Sequence, residues 1–170
     1  EELLNKLSEK GKKVFLDLKV HDIPNTVENA ARLAKEKNVF MMNFHCLGGE
    51  EMLRAAVRGA GEGTILLGVT VLTSMTEEAM LKLGLSGSVE EKVLEFAEMA
   101  KLSGLNGVVA SAKEAKAIRG KLGEDFVIVT PGVRPEWAAK GDQKRVLTPK
   151  KAIEEGADYI VVGRPIIQAD

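Results

Sequence analysis

Hydrophobic and polar positions alternate along this chain in blocks rather than residue by residue. Six short apolar runs predict strands: VFLDLK at 14–19, VFMMNFH at 39–45, TILLGVTVL at 64–72, GVVAS at 107–111, FVIVT at 126–130 and YIVVG at 159–163. Between them, helical spacing appears over 26–37, 49–59, 89–103, 112–121 and 149–155. Near-continuous apolar strands are expected where a parallel sheet is covered on both faces, and repeated strand-then-helix units give a parallel α/β fold. Helix starts are marked by Pro24–Asn25–Thr26 and by Ser111 with Glu114 three residues on, a capping-box pattern. Residues 1–10 read as an amphipathic helix with Leu3, Leu4 and Leu7 on one stripe and Gly11 as its stop.

No linker, low-complexity tract or composition shift divides the chain, so residues 1–170 are read as one domain. The fold class expected is a (β/α)8 TIM barrel, a fold of about 250 residues and eight strands. Six strands are predicted here, so the domain is expected to be a partial barrel, incomplete at both ends. One strand–helix unit and one further strand are expected ahead of Glu1, and a helix beyond the Pro165–Ile166 exit from the last strand.

Composition narrows the function classes. A formal net charge of -1 over 170 residues gives no basic face for nucleic acid or an anionic membrane. The lone Cys46 cannot form an internal disulfide, and no Cys/His spacing suits zinc. No run approaches the ~20 apolar residues of a membrane span, and the charged EELLNKLSEKGKK start is unlike a signal peptide. A cytoplasmic location is therefore expected.

In barrels of this kind the chemistry sits at the C-terminal ends of the strands. Those ends are polar here. The first run supplies Asp17 and Lys19, two apart and so on one face of an extended strand, with Asp22 just beyond. The second ends in His45, followed by Gly48–Gly49, and the third in Thr73–Ser74. The fifth leads into a long loop with Arg134, Asp142, Gln143 and Arg145, and the last gives Gly163–Arg164. Carboxylates, a lysine, arginines and glycine backbone on one rim suit a phosphorylated polar substrate. Competing readings stand beside each. Asp17 and Lys19 could be a structural ion pair, but desolvating both costs several kcal/mol per ion, which favours a site. His45 reads more readily as a hydrogen-bonded structural histidine than as a base. Arg134 and Arg145 could be solvated, and Thr73–Ser74 could cap the following helix.

Taken together, DLKVHDIPNTV (17–27), GVTVLTSM (68–75), TPGVRP (130–135), GDQKRVLTP (141–149) and VVGRPI (161–166) resemble the orotidine 5'-phosphate decarboxylase family in its bacterial form. The resemblance spans essentially the whole chain. It implies decarboxylation of orotidine 5'-monophosphate to UMP, with no metal and no organic cofactor, by a homodimer with shared active sites. Position by position, it makes Lys19 the proton donor to C6 of the pyrimidine and sets Asp17 against the substrate carboxylate. Asp22 is implied to cross the dimer interface into the neighbour's site, with Ile23 and Thr26 beside it. Thr73 is implied to hydrogen-bond the pyrimidine edge, Arg134 and Gln143 to belong to the phosphate-closing loop, and Gly163 with Arg164 to bind phosphate.

The family's ribose-holding aspartate, and the lysine completing its Lys–Asp–Lys–Asp array, are expected upstream of Glu1. Little or no decarboxylation is accordingly expected of the 170-residue chain by itself. Two other readings remain open at this point. One is a Mg2+-dependent sugar-phosphate decarboxylase or aldolase of the same barrel group. The other is a fragment that binds nucleotide without turnover.

Overall fold

The computed structural model describes residues 2–135, 137 and 147–168. After helix α1 (Glu2–Glu9) come β1 (Phe15–Val20), α2 (Pro24–Glu36), β2 (Met41–His45), a 3-10 turn (Cys46–Gly48) and α3 (Gly49–Ala60). The chain continues through β3 (Ile65–Val69), α4 (Glu77–Lys82), α5 (Val89–Leu102), β4 (Gly107–Val109), α6 (Ala112–Leu122) and β5 (Val127–Thr130). It closes with α7 (Pro149–Glu154), β6 (Tyr159–Ile160) and α8 (Arg164–Ile167). The six strands form one sheet in chain order, each parallel to the next, so β1 and β6 are its edges. All six predicted strands are present; β1 keeps the length of its run but starts one residue later, and the other five are shorter than their apolar runs.

Four local expectations change. Ser111 does cap α6, but its hydroxyl accepts from the Lys113 amide, while the full reciprocal box forms at Ser88 and Glu91. Thr73–Ser74 does not cap the next helix; Thr76 does, accepting from the Ala79 amide. A short helix, α8, spans the Pro165–Ile166 exit itself, where the sequence reading places the helix further on. Pro165 fits its first turn because the proline ring pre-sets φ and no amide is needed there. In α1, Leu4 packs against the core while Leu3 stays 67% exposed, so the apolar stripe is narrower than its sequence suggests.

The period-two alternation of strands sorts side chains onto two faces. Met42, Phe44, Leu66, Val108 and Ile128 point to the helical layer and join its core with Val27, Leu53, Val93 and Ile118. Met41, Leu67, Val69, Val109 and Val129 form a second cluster on the other face, with Phe15 packed against it. Each fully buried Leu, Phe or Met contributes roughly 1.5–3 kcal/mol relative to exposure. Helices α2 and α3 touch closely because Gly59 has no side chain: a Cβ there would lie 2.1 Å from the Glu28 carbonyl oxygen. Cys46 is fully buried in the helical-side core, and burial pushes its thiol up to about 12, so it is a packing residue. Among the described residues no helix is long and apolar enough to cross a membrane.

The end of the sheet where strands begin is tied by Arg119. Its guanidinium donates to the carbonyls of Gly123, Glu124, Phe126 and Gly156 and to Asp158 Oδ2 at 2.8 Å. The same Asp158 oxygen accepts from the Ile128 amide at 2.7 Å, linking the end of α6 to the starts of β5 and β6. Arg119 is only 12% exposed, so water cannot replace these bonds. Arg119→Met keeps the aliphatic stem and removes the donors; it is expected to cost about 3 kcal/mol in urea unfolding. A loss below about 1 kcal/mol would show that the carbonyls find other partners.

Candidate active site

Because every strand runs the same way, the C-terminal ends of β1 to β6 share one rim, and the predicted site residues follow those ends. The pivotal geometry lies in β1. Phe15 and Leu16 pair with Met41 and Met42, yet Val20 pairs with Phe44, so Asp17, Leu18 and Lys19 together stand opposite Asn43 alone. The bulge is accommodated at Lys19, whose φ is +49°, one of two non-glycine residues with positive φ among the described residues. Such a conformation costs on the order of 1–3 kcal/mol and persists where surrounding contacts enforce it.

Asn43 supplies those contacts. Its side chain is fully buried on β2. Its Oδ1 accepts the Lys19 backbone N–H at 2.7 Å, and its Nδ2 donates to Asp17 Oδ1 at 2.6 Å. The Lys19 ammonium reaches the same Asp17 oxygen at 2.7 Å. The sequence reading pairs Asp17 with Lys19 correctly, but on a regular, desolvated strand, and both qualifications are corrected. The strand is bulged. The two side chains are 44% and 42% exposed. A pair so exposed stabilises the fold by no more than ~1 kcal/mol, so stability does not account for it.

Around this dyad, His45 ends β2 and its ring lies 5.6 Å from that of His21, centroid to centroid. Burial first, then the neighbouring His21 and Lys19 charges, hold the His45 imidazole below its ordinary value of 6.5. Asp22 follows the dyad just ahead of α2, where its Oδ1 accepts from the Ile23 amide at 2.7 Å. It lines an open cleft with His21, Ile23, Pro24, Leu47 and Gly48. Ile23 is 66% exposed, and Thr26 is exposed on the first turn of α2.

The other predicted residues follow later strands. Thr73 is half-buried in the turn after β3, and Gly163 and Arg164 are exposed where β6 passes into α8. Arg134 is buried at 7% exposure, its backbone N–H donating to the Leu147 carbonyl, so it is packed inside rather than solvated. Gln143, with Asp142 and Arg145, lies outside the described residues. Asn43 is the residue that sequence reasoning missed. Its signal was a lone amide inside the apolar run VFMMNFH, because a buried amide needs partners and here they are Asp17 and Lys19.

Comparison with known proteins sets this geometry in a family. The family model described as orotidine 5'-phosphate decarboxylase / HUMPS family matches residues 1–170. The chain belongs to that family. Orotidine 5'-phosphate decarboxylase of Hydrogenovibrio crunogenus is 52% identical over 171 residues, covering 99% of this chain and 72% of that protein. The enzyme of the same name from Heliobacterium modesticaldum is 53% identical over 168 residues, covering 94% of this chain and 69% of its own length. The crystal structure of orotidine 5'-phosphate decarboxylase from Lactobacillus acidophilus superposes with a TM-score of 0.87 at 40% identity, over 99% of this chain and 74% of that one. The fold is accordingly that of the α/β TIM barrel, with six of its parallel strands present.

Two outcomes follow from this geometry. Lys19→Gly and Lys19→Ala remove the same ammonium but differ at positive φ, so the glycine variant is expected to be more stable by about 1 kcal/mol. Equal urea midpoints would mean that the φ at Lys19 stores no strain. For His45, a depressed pKa in the folded state gives stability that is present above about 6.5 and lost as pH falls below it. His45→Gln is expected to flatten that loss between about pH 7.5 and 5.5 in paired unfolding curves. An unchanged slope would place the pH dependence elsewhere.

Proposed function

We propose that this chain carries the decarboxylation of orotidine 5'-monophosphate to UMP, the step that completes UMP biosynthesis, with Lys19 protonating C6 after CO2 leaves. The observation that supports it most directly is the Asp17–Lys19 pair, joined at 2.7 Å on the strand-end rim of a family whose named members decarboxylate this nucleotide. Losing CO2 from C6 leaves a carbanion that the ring π-system cannot delocalise, so fixed charge must stabilise it. A unit charge at ~4 Å contributes about 4 kcal/mol at an effective dielectric of 20. Lys19 fits that demand and then quenches the carbanion as general acid. Asp17, against the substrate carboxylate, repels the bound anion, and the repulsion vanishes as neutral CO2 departs.

Other residues hold the nucleotide on this reading. Gly163 and Arg164 bind its phosphate, Arg134 and Gln143 belong to the loop that closes over it, and Thr73 meets the pyrimidine edge. Phosphate binding remote from C6 then orients the ring. Asp22 acts in the neighbouring site of a cytoplasmic homodimer, with Ile23 and Thr26 beside it. Support for that placement is the exposed apolar side chains that line the open cleft with it, Ile23 at 66% and Leu47 at 43%. No step in this scheme calls for a metal or an organic cofactor, since Lys19 supplies the cation between carboxylates.

In the protein carrying this sequence, orotidine 5'-monophosphate is expected to be converted to UMP, followed by the change in pyrimidine absorbance. Lys19→Ala is expected to lower kcat by about 10³-fold while UMP binding, measured by calorimetry, stays within about threefold. Turnover by Lys19→Ala within about tenfold of the parent would falsify the proton-donor role.

A further inference from the structure

We infer that Asn43 is a positioning residue for the dyad, the group that fixes Lys19 and Asp17 in their working arrangement; the inference rests on the catalytic reading above. Three backbone residues of β1 face one residue of β2, so the Lys19 amide loses its regular ladder partner. Asn43 Oδ1 takes that amide at 2.7 Å, and the bond holds Lys19 at φ +49°. The same side chain donates Nδ2 to Asp17 Oδ1 at 2.6 Å, beside the Lys19 ammonium. One group must therefore accept from a backbone N–H and donate to a carboxylate at once. Only a primary amide does both at this length: a carboxylate accepts but does not donate, and an aliphatic side chain does neither. With Asn43 fully buried, water does not stand in. Its two partners also fix which way the amide is turned.

The residue acts on Lys19 through the main chain and on Asp17 through the side chain. A shift in either relocates the ammonium relative to a bound pyrimidine, and misplacement by about 1 Å costs on the order of 100-fold in rate. The titratable groups facing this position are Asp17 and Lys19 on β1 and, at the strand ends, His45 with its neighbour His21. From β3, Leu67 pairs with Asn43 and does not titrate.

Two variants separate positioning from simple packing. N43D keeps the acceptor for the Lys19 amide and loses the donor to Asp17, and its new carboxyl regains that donor only when protonated. N43D is expected to leave the Lys19 amide protected from hydrogen exchange and KM within about threefold, and to lower kcat about 100-fold at neutral pH, with partial recovery as pH falls. N43L removes both bonds. It is expected to speed Lys19 amide exchange by at least about tenfold and to lower kcat equally at every pH. Exchange and turnover are read on the same protein. The inference is overturned if N43L leaves Lys19 exchange unchanged, or if N43D turns over within about threefold of the parent at neutral pH. Should N43L fail to fold, N43D decides alone: a loss that does not vary with pH overturns the positioning role. If the parent protein itself does not decarboxylate orotidine 5'-monophosphate, the catalytic reading fails, and the exchange data still judge whether Asn43 sets Lys19.

Discussion

Backbone amides in a parallel sheet need acceptors on the neighbouring strand, and between Leu16 and Val20 the ladder of β1 does not close on β2. Three residues must be held opposite one. The amide of Asn43 resolves the mismatch by acting as a piece of backbone, and Lys19 turns to positive φ to meet it. The remaining features of the rim follow from that arrangement. With Lys19 turned, its ammonium curls back onto Asp17, and the strand resumes pairing at Val20. The chain then leaves for α2 through His21, Asp22 and Ile23, with the Asp22 carboxylate stapled to the next amide. A regular strand of the same residues would continue its pairing past Val20 and would keep Lys19 in extended backbone.

The sheet supplies the other half of the geometry. Parallel strands in chain order put every strand end on one side of the sheet, so the predicted residues from 17 to 164 follow ends that face the same way. Behind the rim lies a layer of Met41, Leu67, Val69, Val109 and Val129, which makes the floor of the site apolar and fixed. At the opposite end, Arg119 and Asp158 bind strand starts to loops. Polar chemistry thus occupies both ends of the strands with different consequences: Arg119 satisfies carbonyls and is largely buried, whereas Asp17 and Lys19 stay open to solvent.

Much of this was legible in the residues. Six apolar runs found six strands, and the polar residues following them gave the rim, because burial on both faces leaves an unbroken apolar signature that breaks at strand ends. Asp17 and Lys19 were legible as a pair from spacing alone. Their environment was not. Lys19 has no glycine or asparagine character to announce positive φ, so the bulge is imposed by pairing with β2, a tertiary effect outside any local window. Arg134 was read as a solvated or substrate-facing loop residue; its burial arises from packing beside Val133 and the return of the chain at Leu147. The α8 turn was missed because Gly163 and Pro165 read as an exit from the strand, although proline suits a helix's first turn.

What the dyad can do depends on water. At the exposures seen here, 44% and 42%, much of the attraction between Asp17 and Lys19 is screened. A unit pair ~4 Å apart is worth about 1 kcal/mol in water and about 4 kcal/mol at an effective dielectric of 20. The same atoms therefore act several times more strongly once water is displaced. On the proposed reading, the nucleotide displaces it, and binding at the phosphate end, near Gly163 and Arg164, holds the ring over the dyad while this happens. Charge that hardly affects folding is then free to act on the reacting carbon. The buried Asn43 amide keeps that charge in place through the change, because its two bonds lie beneath the surface that dries.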